Sequence, residues 1–71
     1  MLERIENEEL VNRISVLRSY RIRNKLSYRD FACLGHTTIV RIAQMEHGVC
    51  ESSREMHDIV SKIERSVLVG V

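Results

Sequence analysis

No proline interrupts this sequence of 71 residues, and only three glycines occur in it. Because proline breaks a helix and glycine weakens one, the chain can form helices with few internal interruptions. Apolar residues recur three or four positions apart along most of its length, which is the spacing of one helix face. A chain this short can bury only one small core. We therefore predict an all-α fold and a single domain over residues 1–71.

Polar capping residues and apolar stripes predict four helices. Asparagine, serine and threonine favour helix starts, because their side chains accept hydrogen bonds from free backbone N–H groups, and glycine favours the position just past a helix end. The helices are expected after Asn7 as far as the turn at 24–25, after Ser27 to about residue 34, between Thr37-Thr38 and Gly48, and from about 53 to 66 after Ser52. Their inner stripes predict a core that includes Leu10, Ile14, Leu17, Met56, Ile59, Val60 and Ile63.

The segment LSYRDFACLGHTTIVRIAQMEHG, from Leu26 to Gly48, contains two short helical stretches on either side of a tight turn. Ala32 stands where the two helices would cross, threonines open the second helix, and Ile42 is a β-branched residue on its inner face. The segment ends in MEHG, and Arg21 lies five residues before its first leucine. In these residue types and spacings the chain resembles the helix-turn-helix of the lambdoid phage repressor/Cro family, also called the XRE type. The resemblance covers about residues 10–66.

Two positions depart from the pattern of that family. The glycine that is usual in the turn stands one position early, at Gly35, which leaves His36 where a left-handed backbone is expected. Histidine adopts this conformation more readily than most residues but less readily than glycine. The glutamine that usually begins the first helix of the motif is replaced by Tyr28, whose hydroxyl can still donate to a phosphate.

The resemblance implies a lambda-repressor-like DNA-binding domain of four or five helices, with the helix-turn-helix at about residues 27–47. Such proteins place the second helix of the motif in the major groove of double-stranded DNA. By the resemblance, the residues that contact base edges are Thr38, Ile39, Val40, Ala43 and Gln44. The amide of Gln44 suits a bidentate contact with adenine, and the apolar side chains suit thymine methyl groups.

The net charge of +1 conceals an uneven distribution. Residues 10–30 contain six basic side chains and one acidic side chain, whereas residues 1–9 contain four glutamates and one arginine. A basic block of this kind suggests an anion-binding surface, with a solvated helix face as the ordinary alternative. The resemblance assigns phosphate contacts to Arg23, Lys25, Tyr28, Arg29, Arg41 and His47. It also pairs Arg21 with Glu46 as a structural ion pair between the first and third helices, the alternative being two separate surface charges.

Two cysteines and two histidines form the pattern C-x2-H…H-x2-C, with ligand types that zinc accepts. These residues are Cys33, His36, His47 and Cys50. The predicted third helix separates the two pairs by roughly 16 Å, which is too far for one ion to bridge. We therefore expect no metal site and reduced cysteines that pack in the fold. The sequence contains no catalytic arrangement and no phosphate-binding glycine loop, so neither an enzyme nor a cofactor or small-molecule ligand is expected.

These features together predict a small transcriptional regulator of phage or plasmid type, such as a Cro-like repressor. It would bind a palindromic operator as a homodimer, because two-fold symmetry places two recognition helices one turn of DNA apart. The apolar tail, residues 67–71, is the first candidate for the dimer contact, and Leu2–Ile5 in the N-terminal arm (residues 1–7) is the second. We expect a cytoplasmic protein with no membrane contact, because the sequence has neither a membrane-spanning apolar run nor the apolar segment of a signal peptide.

A second hypothesis belongs to a different functional class. A protein-interaction module of the antitoxin or anti-repressor type could keep the helix-turn-helix fold and use its third helix on a protein partner. That partner would also explain an apolar outer face on this helix. Salt dependence separates the two hypotheses, because DNA binding weakens steeply as salt is added, whereas an aliphatic protein interface hardly responds.

Overall fold

The computed structural model describes residues 1–68, and within them it contains the four helices that the sequence predicts. Each helix begins directly after its polar cap, whose side chain accepts a hydrogen bond from the backbone N–H three residues further on. The caps are Asn7, Ser27, Thr38 and Ser52. The helices are α1 (Glu8–Arg23), α2 (Tyr28–Leu34), α3 (Ile39–His47) and α4 (Ser53–Val67). The prediction of an all-α fold with four helices is confirmed.

A short antiparallel pairing, which the sequence did not indicate, holds the N-terminal arm against the helices. Strand β1 (Glu3–Arg4) pairs with strand β2 (Val49–Cys50), which directly follows α3. The backbone N–H of Ile5 donates to the carbonyl of Gly48 at an N–O distance of 2.8 Å. Ile5 is buried in the core, whereas Leu2 remains exposed. Leu2–Ile5 was the second candidate for a dimer contact. Because Ile5 packs in the core of its own chain, it is not available for such a contact.

The core lies between the inner faces of the helices and is almost entirely aliphatic. Its one aromatic side chain, Phe31, comes from α2 and is fully buried. All seven core residues predicted from the stripes of α1 and α4 are buried. Among residues 1–68, the buried hydrophobic side chains are Ile5, Leu10, Ile14, Leu17, Phe31, Ala32, Ile42, Met45, Cys50, Met56, Ile59, Val60 and Ile63.

In the turn between α2 and α3, one residue has little room for a side chain and the next has a left-handed backbone. Gly35 is buried and has an ordinary negative φ of −89°, but a Cβ atom there would lie 3.2 Å from side-chain atoms of Ile59 and of Ile63. Glycine therefore favours the close approach of α2 to α4, because any side chain there would press on these isoleucines. His36 has a φ of 52°, so it takes the left-handed position that the sequence assigned to it. The chain thus enters α3 through a strained residue that is exposed to solvent.

The C-terminal tail is only partly within the described residues. Val67 packs against the core as the last residue of α4, and Leu68 is exposed. The other residues of the predicted dimerisation tail, 69–71, lie outside the described part of the chain. Over residues 1–68, no helix has both the length and the apolar character that crossing a bilayer requires.

Candidate nucleic-acid interface

Helix α3 has one face in the core and the opposite face in solvent. Ile42 and Met45 are fully buried, whereas Ile39 is 45% exposed and Val40 is 62% exposed. Successive residues of an α-helix are about 100° apart, so Val40 points almost directly away from Ile42. The packing of the core does not require these two apolar side chains, which leaves the outer face of α3 available for contact with another molecule.

The other residues predicted to contact base edges lie on the same side of α3 or at its first turn. Thr38 is exposed, and its hydroxyl oxygen accepts a hydrogen bond from the backbone N–H of Arg41 at 3.2 Å. Because a hydroxyl group can donate and accept at once, the cap leaves its proton free to donate. Ala43 and Gln44 are half-buried, and the side-chain oxygen of Gln44 accepts from the Arg41 guanidinium at 3.3 Å.

A bidentate ion pair joins α1 to the last turn of α3, as the sequence predicted. Arg21 donates through Nε and Nη2 to the two carboxylate oxygens of Glu46, at 2.6 and 2.9 Å. The side chain of Glu46 is only 3% exposed. The hydrogen bonds with this carboxylate, together with its charge, raise the pKa of Arg21 above its ordinary value. A second arginine of α1, Arg18, lies 3.6 Å from the same carboxylate.

Arg21 also positions the start of α2. Its Nη1 donates to the carbonyl of Leu26 at 3.1 Å, and its guanidinium carbon lies 4.8 Å from the centre of the Tyr28 ring. Guanidinium groups are attracted to the faces of aromatic rings at this distance. Tyr28, expected from the sequence only as a phosphate ligand, therefore has a second role in packing. The contacts of Arg21 bring the N-terminus of α2 close to the C-terminal end of α3.

Three cationic side chains lie along the chain near this junction, at the end of α1, in the turn that follows it and in the first turn of α2. Arg23, Lys25 and Arg29 form what we call the basic corner, and all three are exposed. Within residues 1–68 none of them forms an ion pair. Lys25 occupies the turn with a left-handed backbone, φ 56°. His47, also expected at a phosphate, is exposed at the end of α3, directly after Glu46.

Arg41 is in a different situation from the basic corner, because two glutamates hold its guanidinium. Nε lies 2.7 Å from a carboxylate oxygen of Glu55, and Nη1 contacts Glu51. The hydrogen bond between Arg41 and Glu51 raises the pKa of the arginine and lowers that of the glutamate. We call Glu51 and Glu55 the acidic clamp. Sequence analysis missed these two residues, because they lie beyond β2 and share no helical spacing with Arg41.

The four residues of the zinc-like pattern are not brought together. Cys50 is buried in the core, and burial raises the pKa of its thiol, whereas Cys33 is exposed on α2. Both cysteines are free thiols. In the part of the chain that the structure describes, no three histidine, cysteine, aspartate or glutamate residues are placed to hold a metal ion.

Comparisons with models of known protein families, with curated proteins and with solved structures find no significant match to this chain. The similarity to the repressor/Cro family therefore remains a resemblance in sequence pattern. The functional argument below depends on the geometry of α3 and its surroundings.

Proposed function

We propose that this protein is a sequence-specific DNA-binding transcriptional regulator, acting as a small Cro-like repressor that binds a palindromic operator as a homodimer. The observation that carries the proposal is the solvent-facing side of α3. It combines exposed Ile39 and Val40 with Thr38 and Gln44, and the contacts of Arg21 bring the start of α2 to the C-terminal end of the same helix. A surface with apolar groups, an amide and a hydroxyl in one strip matches the mixed methyl and hydrogen-bonding pattern of the major groove.

The dimensions of α3 support this mode of binding. An α-helix with its side chains is about 10–12 Å in diameter, which matches the width of the major groove, about 12 Å, and the nine residues of α3 would extend about 14 Å along the groove. The helix therefore fits in the groove with its first two turns against the bases. In that position Gln44 would contact adenine, and Ile39, Val40 and Ala43 would pack on thymine methyl groups. We accordingly expect a half-site that contains A·T pairs.

The basic corner supplies the phosphate contacts in this proposal. Arg23, Lys25 and Arg29 have their charges available to an external anion, and the ion pair of Arg21 fixes the junction that they surround. Contacts with phosphates determine register and make affinity depend on salt, while contacts with bases determine sequence choice. His47 and the hydroxyl of Tyr28 are further phosphate donors at the same end of α3.

Dimerisation follows from the need for specificity, since α3 alone reads only a few base pairs. A two-fold symmetric dimer places two copies of α3 about 34 Å apart, one turn of DNA. The described residues measure 33 × 22 × 18 Å along their principal axes, so two adjacent copies can produce such a separation. The apolar end of the chain, beginning with Val67 and exposed Leu68, is our candidate for the contact.

The proposal is tested by selection of binding sites from random duplexes, first with the native protein and then with Gln44→Ala. Asn12→Ala is the matched control, because it removes an exposed amide from α1. We expect enrichment of a palindrome, loss of preference at one base pair per half-site with Gln44→Ala, and no change with Asn12→Ala. Folded protein that enriches no sequence at low salt would refute DNA recognition and favour a protein partner for α3.

A further inference from the structure

The acidic clamp surrounds the guanidinium of Arg41 with more negative charge than the arginine itself carries. Arg41 contributes one positive charge, and Glu51 and Glu55 contribute two negative charges around it. Each glutamate side chain is about half exposed, so their charges also reach the solvent beside α3. The basic corner, in contrast, carries three positive charges without acidic partners in the described residues. Arg41 and the basic corner therefore differ in how freely their charges can reach an external anion.

The clamp is built from residues whose backbone is held in place. Glu51 directly follows β2, whose last residue, Cys50, is in the core. Glu55 lies in the first turn of α4, and its backbone N–H donates to the capping hydroxyl of Ser52 at 3.3 Å. The backbone that carries the two acids is therefore fixed beside Arg41, and their side chains have only to keep their rotamers to hold the guanidinium. Arg41 would thus have to leave two carboxylates unpaired in order to reach a DNA phosphate.

Carboxylates and phosphates compete for the same donors of a guanidinium group, since both are anions that accept two parallel hydrogen bonds. We infer that Glu51 and Glu55 are affinity-limiting residues that keep Arg41 from the DNA backbone, so that phosphate contacts come from the basic corner, with His47 and the Tyr28 hydroxyl, and not from Arg41. This inference rests on the proposed function. It also assigns Arg41 a role other than the phosphate contact expected from sequence: it donates to Gln44 and so orients the amide that reads a base.

The consequence is a salt dependence lower than the number of cationic residues near α3 suggests. Each phosphate neutralised by a protein cation contributes about −0.9 to the slope of log K against log salt concentration. Release of Arg41 to a phosphate should therefore steepen the slope by about 0.9 per subunit. The ratio of the variant's affinity to that of the native protein should then rise by about eightfold for each tenfold dilution of salt.

The test compares the native protein with Glu51→Gln/Glu55→Gln on a mixed-sequence duplex of about 20 base pairs, at salt concentrations from about 50 to 200 mM. The matched control is Glu6→Gln/Glu8→Gln, which makes the same change in charge at exposed positions away from Arg41. Circular dichroism and thermal melting verify folding. If the double variant does not fold, the single variants Glu51→Gln and Glu55→Gln are measured instead.

We expect tighter binding and a steeper slope only for the clamp variant, and we expect the additional variant Arg41→Gln in that background to remove the gain. An unchanged slope for the clamp variant would overturn the inference, as would a gain that survives Arg41→Gln or that Glu6→Gln/Glu8→Gln reproduces. In each of those cases DNA binding by the native protein leaves the proposed function intact. If no folded variant binds DNA at low salt, the proposed function fails and the inference fails with it.

Discussion

The ion pair between Arg21 and Glu46 allows a quantitative prediction, because the chain contains a second pair of the same geometry in a more exposed position. Arg13 donates to both oxygens of Glu64 at 3.0 and 2.7 Å, much as Arg21 does to Glu46. The difference is exposure: the side chains of Arg13 and Glu64 are 27% and 20% exposed, against 17% and 3% for Arg21 and Glu46. If burial determines what an ion pair contributes, the two pairs must respond differently to the same substitution.

We predict that Arg21→Met lowers the free energy of unfolding by about 3 kcal/mol, because it leaves the buried carboxylate of Glu46 without its main ion-pair partner. Arg18, 3.6 Å away, provides only a weak substitute. Arg13→Met should lower it by about 1 kcal/mol, since water solvates Glu64 once its partner is gone. Glu46→Gln should fall between the two, at about 2 kcal/mol, because Arg21 keeps the carbonyl of Leu26 and remains partly exposed.

Urea unfolding followed by circular dichroism measures these differences. A domain of this length has a total stability of about 4 to 10 kcal/mol, so a loss of 3 kcal/mol is large but leaves a measurable folded state. In a thermal melt, the same loss lowers the midpoint by about 12 to 24 °C. Added salt should reduce the effect of Arg13→Met more than that of Arg21→Met, because exposed pairs are screened more strongly. Equal losses from both substitutions would refute the argument from burial.

Three further predictions concern the turn and the clamp. Gly35→Ala should destabilise the fold by about 1–3 kcal/mol in urea unfolding, because the new Cβ would lie 3.2 Å from two isoleucine side chains of α4. His36→Gly should stabilise it by about 1 kcal/mol, since glycine adopts the left-handed conformation without the strain of a side chain, and an unchanged melting midpoint would contradict this. The folded-state pKa of Glu51 is lowered, so its pairing with Arg41 adds stability that is fully present above the ordinary glutamate value of 4.5 and is lost as pH falls through the lower folded value. The stability difference between native protein and Glu51→Gln, measured by melts across acidic pH, should therefore stay constant above pH 4.5 and shrink as the pH falls below 4.5.

Local signals in the sequence were sufficient for the helices and for much of the core. Asn7, Ser27 and Ser52 each predicted a helix start to the residue, because capping depends on a side chain and a backbone N–H only three positions away. The apolar stripes of α1 and α4 predicted buried residues correctly, because the face of a helix on which a residue lies depends only on its spacing along the chain. The left-handed backbone at His36 was expected from the family resemblance, because the glycine that is usual in this turn stands one position early.

Contacts between distant segments were predicted only where the family resemblance supplied them. The pairing of Arg21 with Glu46 came from that resemblance, since no spacing rule connects residues on different helices. The pairing of β1 with β2 had no such source, and two-residue strands are too short to show an alternating pattern. The acidic clamp was missed for the same physical reason, because it forms only when the loop after β2 and the first turn of α4 come within side-chain reach of Arg41.

The arginines of this chain show why a count of basic residues is a poor guide to an anion-binding surface. Arg13, Arg21 and Arg41 each bind a carboxylate, and these three serve mainly to join one helix to another. Arg23 and Arg29 form no ion pair within residues 1–68, and they lie at the one junction where α1, α2 and α3 meet. The basic block in the sequence thus separates into cations that stabilise the fold and cations that remain available to an external anion. If the second group binds the backbone of a duplex, that backbone is held where α1 meets α2, and the sequence is selected by the bases that α3 reaches.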